Sequence, residues 1–164
     1  VELGHSKIAY CGPLPPYLEG HSSLKDRHDT YISEMKKYGF DPEVGSHDTL
    51  GSAEEFLKEV VLSKNATAIL SYGHMGALNL MQAAHSLDIA VPEQLSILCF
   101  CDEYANRVMS PGLTFIDLCS EKMGKIAAEL LLEQIRNPNK TKARHIVLSE
   151  KLVVRNTTAA LSRQ

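Results

Sequence analysis

Short apolar runs alternate along the chain with longer stretches in which apolar residues recur every three or four positions. Lys7 to Cys11 reads as a buried strand, ending in the turn-rich Gly12-Pro13-Leu14-Pro15-Pro16. A helix is predicted from about Ser23 to Tyr38, with Leu24, Tyr31, Ile32 and Met35 on its apolar side. Gly39 takes the left-handed position after its end, and Pro42 bars continuation. Val44 to Leu50 reads as a short strand and loop. Ser52-Ala53-Glu54-Glu55 has the capping-box pattern, in which hydroxyl and carboxylate each satisfy an exposed N–H, and the helix behind it buries Phe56, Leu57, Val60 and Val61.

The second half repeats the rhythm. Thr67 to Ser71 is a core strand, and His74 to about Leu87 a helix with Met75, Leu78, Met81, Ala84 and Leu87 at helical spacing. Leu95 to Phe100 and Leu113 to Ile116 are further strands. Ser120 is placed to cap an amphipathic helix from Glu121 to Arg136, with Met123, Ile126, Ala127, Leu130, Leu131 and Ile135 on one face and Asn137-Pro138 as its stop. The stretch from about His145 to Arg155 reads as two short strands or one bent one. Near-continuous apolar strands separated by helices predict a parallel sheet covered on both faces. In such sheets ligands sit outside the carboxyl ends of the strands, here residues 12–27, 45–50, 71–74 and 101–106. No internal repeat or low-complexity segment interrupts the pattern.

Composition narrows this. At 164 residues, 44% hydrophobic and 23% charged, the chain has the makeup of one globular α/β domain. A formal net charge of -3 is the wrong sign for a surface that holds a polyanionic backbone, so the chain is not expected to bind DNA by itself. No run approaches the roughly 18 apolar residues of a membrane span, and Val1-Glu2-Leu3-Gly4-His5 lacks the features of a signal peptide. Cys11, Cys99, Cys101 and Cys119 lie mostly within apolar runs without CxxC spacing, which reads as buried thiols of a reduced cytosol. The histidines His5, His21, His28, His74, His85 and His145 show no metal-ligand spacing, so neither metal nor cofactor is expected. With no nucleophile elbow and no Gly-rich phosphate loop, an enzyme is not expected either.

The order of short motifs is specific. Leu3-Gly4-His5-x-Lys7-Ile8-Ala9 is followed by Gly12-Pro13 and by Arg27 near the start of a helix. Then come Ala66-Thr67-Ala68-Ile69, Met75, Val91-Pro92-Glu93-Gln94-Leu95-Ser96-Ile97, Pro111-Gly112-Leu113-Thr114 and Leu152-Val153-Val154-Arg155-Asn156-Thr157. This ordered set resembles the lactose/galactose-repressor family of bacterial regulators over essentially the whole chain. The resemblance implies a type I periplasmic-binding-protein-like core of two α/β subdomains joined by three crossovers. Residues 1 to about 115 and 142–164 would form the carboxyl-terminal subdomain, and about 116–141 would belong to the amino-terminal one, with the helix-turn-helix head absent. The helix at 121–136 would then lack its usual sheet. Since leaving a large apolar side chain in water costs roughly 1.5–3 kcal/mol, it is expected to pack on its own subdomain or on a second chain.

The resemblance also implies the site. Arg27 stands where the family's arginine hydrogen-bonds effector hydroxyls, and a guanidinium fork suits two vicinal hydroxyls. Ser23 matches a further effector contact or caps the same helix. Where the family has Gly-aromatic-Asp this chain has Cys99-Phe100-Cys101-Asp102, which puts Cys101 at the carboxylate position. Asp102 replaces that carboxylate only if the strand end bends, because one step along a strand turns to the opposite face. Tyr72 and Gly73 replace polar contacts, and Tyr72 either stacks on a sugar ring or plugs the pocket. His47 and Asp48 lie in a loop that often supplies an aromatic platform, and His21 in a Gly/Pro-rich loop is a further pocket candidate.

These readings lead to the ligand-sensing and dimerisation part of a cytoplasmic transcriptional repressor. The resemblance implies that it would bind a sugar-like effector, pair as a homodimer through helix 74–87 and region 102–110, and meet DNA only through the missing head. A transporter's periplasmic sugar-binding protein and a ligand-free dimerisation scaffold are the rivals.

Overall fold

The computed structural model describes residues 1–14, 18–46, 49–103, 111–138 and 143–161. Six strands form one sheet in the order β2-β1-β3-β4-β5-β6. These are β1 (Ile8–Cys11), β2 (Glu43–Gly45), β3 (Ala68–Ser71), β4 (Ser96–Cys101), β5 (Thr114–Asp117) and β6 (Lys151–Val153). The first five run parallel, and β6 adds antiparallel to β5 as a single short strand. The helices are α1 (Ser22–Lys37), α2 (Leu50–Leu57), α3 (His74–Ser86) and α4 (Ser120–Arg136), with a π-helical turn at Lys58–Ser63 extending α2.

The direction of each crossover decides which face a helix covers. From β1 the chain steps outward through α1 to β2, whereas α2 and α3 carry it the other way, to β3 and then β4. Right-handed connections therefore place α1 on one face and α2 with α3 on the other. Strand alternation matches. Ala9, Cys11, Ile69, Ile97, Cys99, Cys101 and Phe115 pack with Ala53, Phe56, Leu57 and Val60 of the α2 region and with Ala77, Leu80, Ala83 and Ala84 of α3. Tyr10 packs with Tyr31 and Met35 of α1, joined by Ile8 and Leu70. Gly45 permits the close approach of α2, because a Cβ there would stand 2.2 Å from the Phe56 ring.

Four local expectations need correction. The second helix is capped one turn earlier than Ser52: Thr49 Oγ1 accepts the Ser52 N–H at 3.3 Å, and Ser52 Oγ accepts the Thr49 N–H at 3.1 Å. The buried stripe of α3 is made of small residues and Leu80. Met75 is 61% exposed, and Leu78, Met81 and Leu87 are only half-buried, because α3 lies close against α2 and the sheet where alanines fit best. The N-cap of α4 is Cys119, in left-handed geometry (φ 56°), rather than Ser120. The Cys119 N–H donates to Asp117 Oδ1 at 3.0 Å. The N-cap of α1 is His21, without a side-chain bond, so Ser23 does not cap that helix.

The largest correction concerns α4. It has no buried residue, and Ile135, Leu131, Met123 and Leu132 are each at least half exposed. Its described side-chain tie is an ion pair between Glu133 and Arg144. Packing on its own subdomain is therefore overturned: the α2–α3 face is already full, and α4 leaves the sheet beyond β5.

The carboxyl-terminal tail is tied back to the strand entrances. Thr157 Oγ1 donates to Ile97 O at 2.7 Å and accepts the Thr114 N–H at 2.9 Å. His5 is bonded to Ala159 O through Nε2 and to Thr67 Oγ1 through Nδ1, both at 2.9 Å. Since a carbonyl only accepts, Nε2 is the donor to Ala159 O.

Candidate functional site

At the carboxyl ends of β1, β3 and β4 the chain leaves the sheet through Gly12-Pro13, Tyr72-Gly73 and Asp102. Two hollows open there. One, of about 360 Å³, is lined by Cys11, Gly12, Ser46, Ser71, Tyr72, Gly73, His74 and Met75. The other is a groove of about 650 Å³ along the α1 side of the sheet, where Ser23, Arg27 and Tyr31 face Leu70, Leu98, Phe100 and Ile116.

Arg27 occupies the junction. Helix α1 begins at Ser22, so Arg27 falls on its second turn, facing the strand ends. Its guanidinium lies 4.0 Å from the Phe100 ring centre and 4.9 Å from that of Tyr72, and Nη1 donates to Tyr72 O at 3.4 Å. Ring faces attract a cation, so two aromatics hold the guanidinium in place. Among the described residues no carboxylate forms an ion pair with it. The Ser23 and Tyr72 hydroxyls share a hydrogen bond of 3.3 Å. Ser23, Arg27 and Tyr72, drawn together from residues 49 positions apart, are thus mutual neighbours.

The other expected residues stand elsewhere. Cys101 is only 2% exposed and belongs with Cys99 to the core under α2 and α3, with Sγ donating to Asp102 O at 3.2 Å. Burial raises its thiol pKa, and that of Cys99 to about 12, so both stay protonated and unreactive at neutral pH. Asp102, just past the strand, is half-buried, and its Oδ1 is enclosed without a hydrogen-bond partner among the described residues. His47 and Asp48 lie outside the described residues, as does most of region 102–110. His21 is exposed at the helix start.

Two residues passed over in the sequence shape the site. Phe100 forms the platform under Arg27, which strand alternation from Leu98 could have signalled. Tyr10 is fully buried, stacked on Tyr31 at 5.3 Å, and its hydroxyl finds no hydrogen-bond partner among the described residues. Burial pushes its pKa up to about 12, against the pull of nearby Arg27. The set offers a cation, two hydroxyls and aromatic faces, which suits holding a hydroxylated ring rather than transforming one. Among the described residues no group of three His, Cys, Asp or Glu side chains could hold a metal, and no helix is long and apolar enough to cross a membrane.

Residues 1–158 match the family model of the periplasmic binding protein-like domain. The chain is 32% identical to the ribose operon repressor of Haemophilus influenzae over 98% of its own length and 48% of that protein. It is 24% identical to the HTH-type transcriptional repressor PurR of the same organism, over 98% of this chain and 49% of that protein. A LacI family transcriptional regulator from Bifidobacterium animalis superposes with a TM-score of 0.79 at 26% identity, covering 98% of this chain and 58% of that one. One from Enterococcus faecium with bound ribose gives 0.79 at 22%, covering 98% and 59%, and likewise shares the fold. The chain spans about half the length of the relatives it matches.

Proposed function

The chain belongs to the periplasmic binding protein-like family, in the lactose/galactose-repressor branch, and from that premise we propose that it is the effector-sensing wall of a transcriptional repressor. The effector is a sugar or a related hydroxylated ring, seated at the strand ends against Arg27. The observation that carries this is the arginine itself, which is held between Phe100 and Tyr72, has no carboxylate partner among the described residues and lies beside the Ser23 hydroxyl. Residues 1–115 and 142–164 make the carboxyl-terminal subdomain, and about 116–141 belongs to the amino-terminal one. The exposed apolar stripe of α4 supports that division, as a helix whose sheet lies in the other subdomain.

In this mechanism effector binding across the cleft favours one arrangement of the two subdomains, and so biases the DNA-binding heads of a homodimer in the cytoplasm. An effector acts only through its differential affinity for the two arrangements. The proposed role is sensing rather than catalysis, a reading supported by relatives that are named as repressors.

The test is thermal stability in the presence of sugars, sugar phosphates and nucleosides. A ligand at 100 times its dissociation constant stabilises the native state by about 2.7 kcal/mol. Arg27→Ala is expected to abolish that shift while keeping the unliganded melting temperature. A shift that survives Arg27→Ala places the effector elsewhere, and no shift with any compound favours a ligand-free dimerisation scaffold.

A further inference from the structure

Tyr72 stands between the two hollows. It lines the smaller one, while Ser23 and Arg27 line the larger. Its hydroxyl is bonded to Ser23, its carbonyl takes the Arg27 N–H, and its ring covers one side of the guanidinium whose other neighbour is Phe100. The backbone is anchored, since the Tyr72 N–H donates to Cys11 O at 2.7 Å, so only the side chain is free to turn. Gly12 makes room for it: a Cβ there would stand 2.8 Å from Tyr72 Cβ and 2.9 Å from the Tyr10 ring.

We propose that Tyr72 is an internal occupant of the effector site and the residue that sets its specificity. The phenol ring and hydroxyl fill the places a ligand's ring and hydroxyl would take, against Arg27 and Ser23. Turning the side chain away joins the hollows into one cavity with Ser23, Arg27 and Phe100 in its wall. The ligand that fits is a compact polyhydroxylated ring, whose hydroxyls replace the phenol on Ser23 and reach the guanidinium edge. A binding-competent state that is only partly populated weakens apparent affinity by that fraction. This rests on the effector-site reading above.

The experiment follows Arg27 directly. Phenylglyoxal modifies exposed guanidinium groups, and peptide mass spectrometry separates Arg27 from Arg136, whose rate serves as the internal standard. Tyr72→Ala is expected to speed Arg27 modification several-fold with Arg136 unchanged, and to bind D-ribose or D-galactose about tenfold more tightly in calorimetry. Tyr72→Phe keeps the ring and loses only the Ser23 bond, so a smaller acceleration is expected, and it carries the test if the alanine variant does not fold. Unchanged Arg27 modification in the folded variants overturns the gate. Weaker sugar binding by Tyr72→Ala overturns it as well, making Tyr72 a ligand contact. Faster modification with no sugar bound by any variant shows that Tyr72 covers Arg27 but overturns the effector-site reading, and the proposal with it.

Discussion

Alternate residues of the same strands build the two faces of the sheet, and the faces end differently. Under α2 and α3 the side chains are aliphatic, cysteine or phenylalanine, almost all fully enclosed. Under α1 the enclosed part shrinks to Tyr10, Tyr31 and Met35, and beyond it Leu98, Phe100 and Ile116 border an open groove. Among the described residues two helices cover one face and one covers the other, because α2 and α3 lie in crossovers that step one way and α1 in the crossover that steps back. The packed face supplies stability. The half-covered face leaves polar groups and aromatic rings within reach of a ligand.

The largest loss of stability is expected in alkali, where each face titrates through its own groups. Tyr10 and Tyr31 lie on the α1 face, and burial raises both phenols to about 12. As pH rises through 10 the unfolded tyrosines ionise while the folded ones keep their protons, so the stability they contribute is intact below about pH 10 and lost towards pH 12. Denaturant titrations should record a fall on the order of 2 kcal/mol for each tyrosine, and Tyr10→Phe should remove about half of it. Cys99, on the opposite face and also raised to about 12, adds a loss beginning near pH 9.

Truncation compares the faces residue by residue. Leu80→Ala, fully buried on α3, is expected to cost about 3 kcal/mol in urea unfolding. Leu98→Ala, on the groove side, should cost less than half as much. Equal costs would mean that the groove is covered in solution. Thr157→Val leaves the Thr114 N–H without its acceptor and should cost about 2 kcal/mol. Met75→Ala, on a side chain that helical spacing alone assigns to the core, should stay within about 0.5 kcal/mol of the parent.

The motifs that betray the family turn out to be structural ties. His5 of the Leu-Gly-His opening and Thr157 of the Arg-Asn-Thr ending bind distant backbone and hydroxyl groups together. Gln94 of the Val-Pro-Glu-Gln turn accepts the Ala90 N–H through Oε1 at 2.7 Å. His5 and Thr157 are recognisable because a buried polar group must find its specific partner, whereas Gln94 is exposed and holds a local turn. The ligand-facing positions obey no such rule, and Cys101 and Tyr72 depart there from the family pattern. Register alone set Cys101 at the carboxylate position, whereas the fold turns it inward beside Cys99.

Local pattern in the chain was enough for the parallel α/β sheet, for the ends of four strands and three helices to within a residue or two, and for the place of Arg27 near the start of α1. Local periodicity and turn chemistry carry that information, since each depends on neighbours a few residues away. That Phe100 lies beneath Arg27 and that Tyr72 is bonded to Ser23 follow from long-range packing. The exposure of α4 and the small-residue face of α3 were decided there too. Those outcomes depend on which helix reaches which strand, and on how closely, and such distances join residues far apart in the chain.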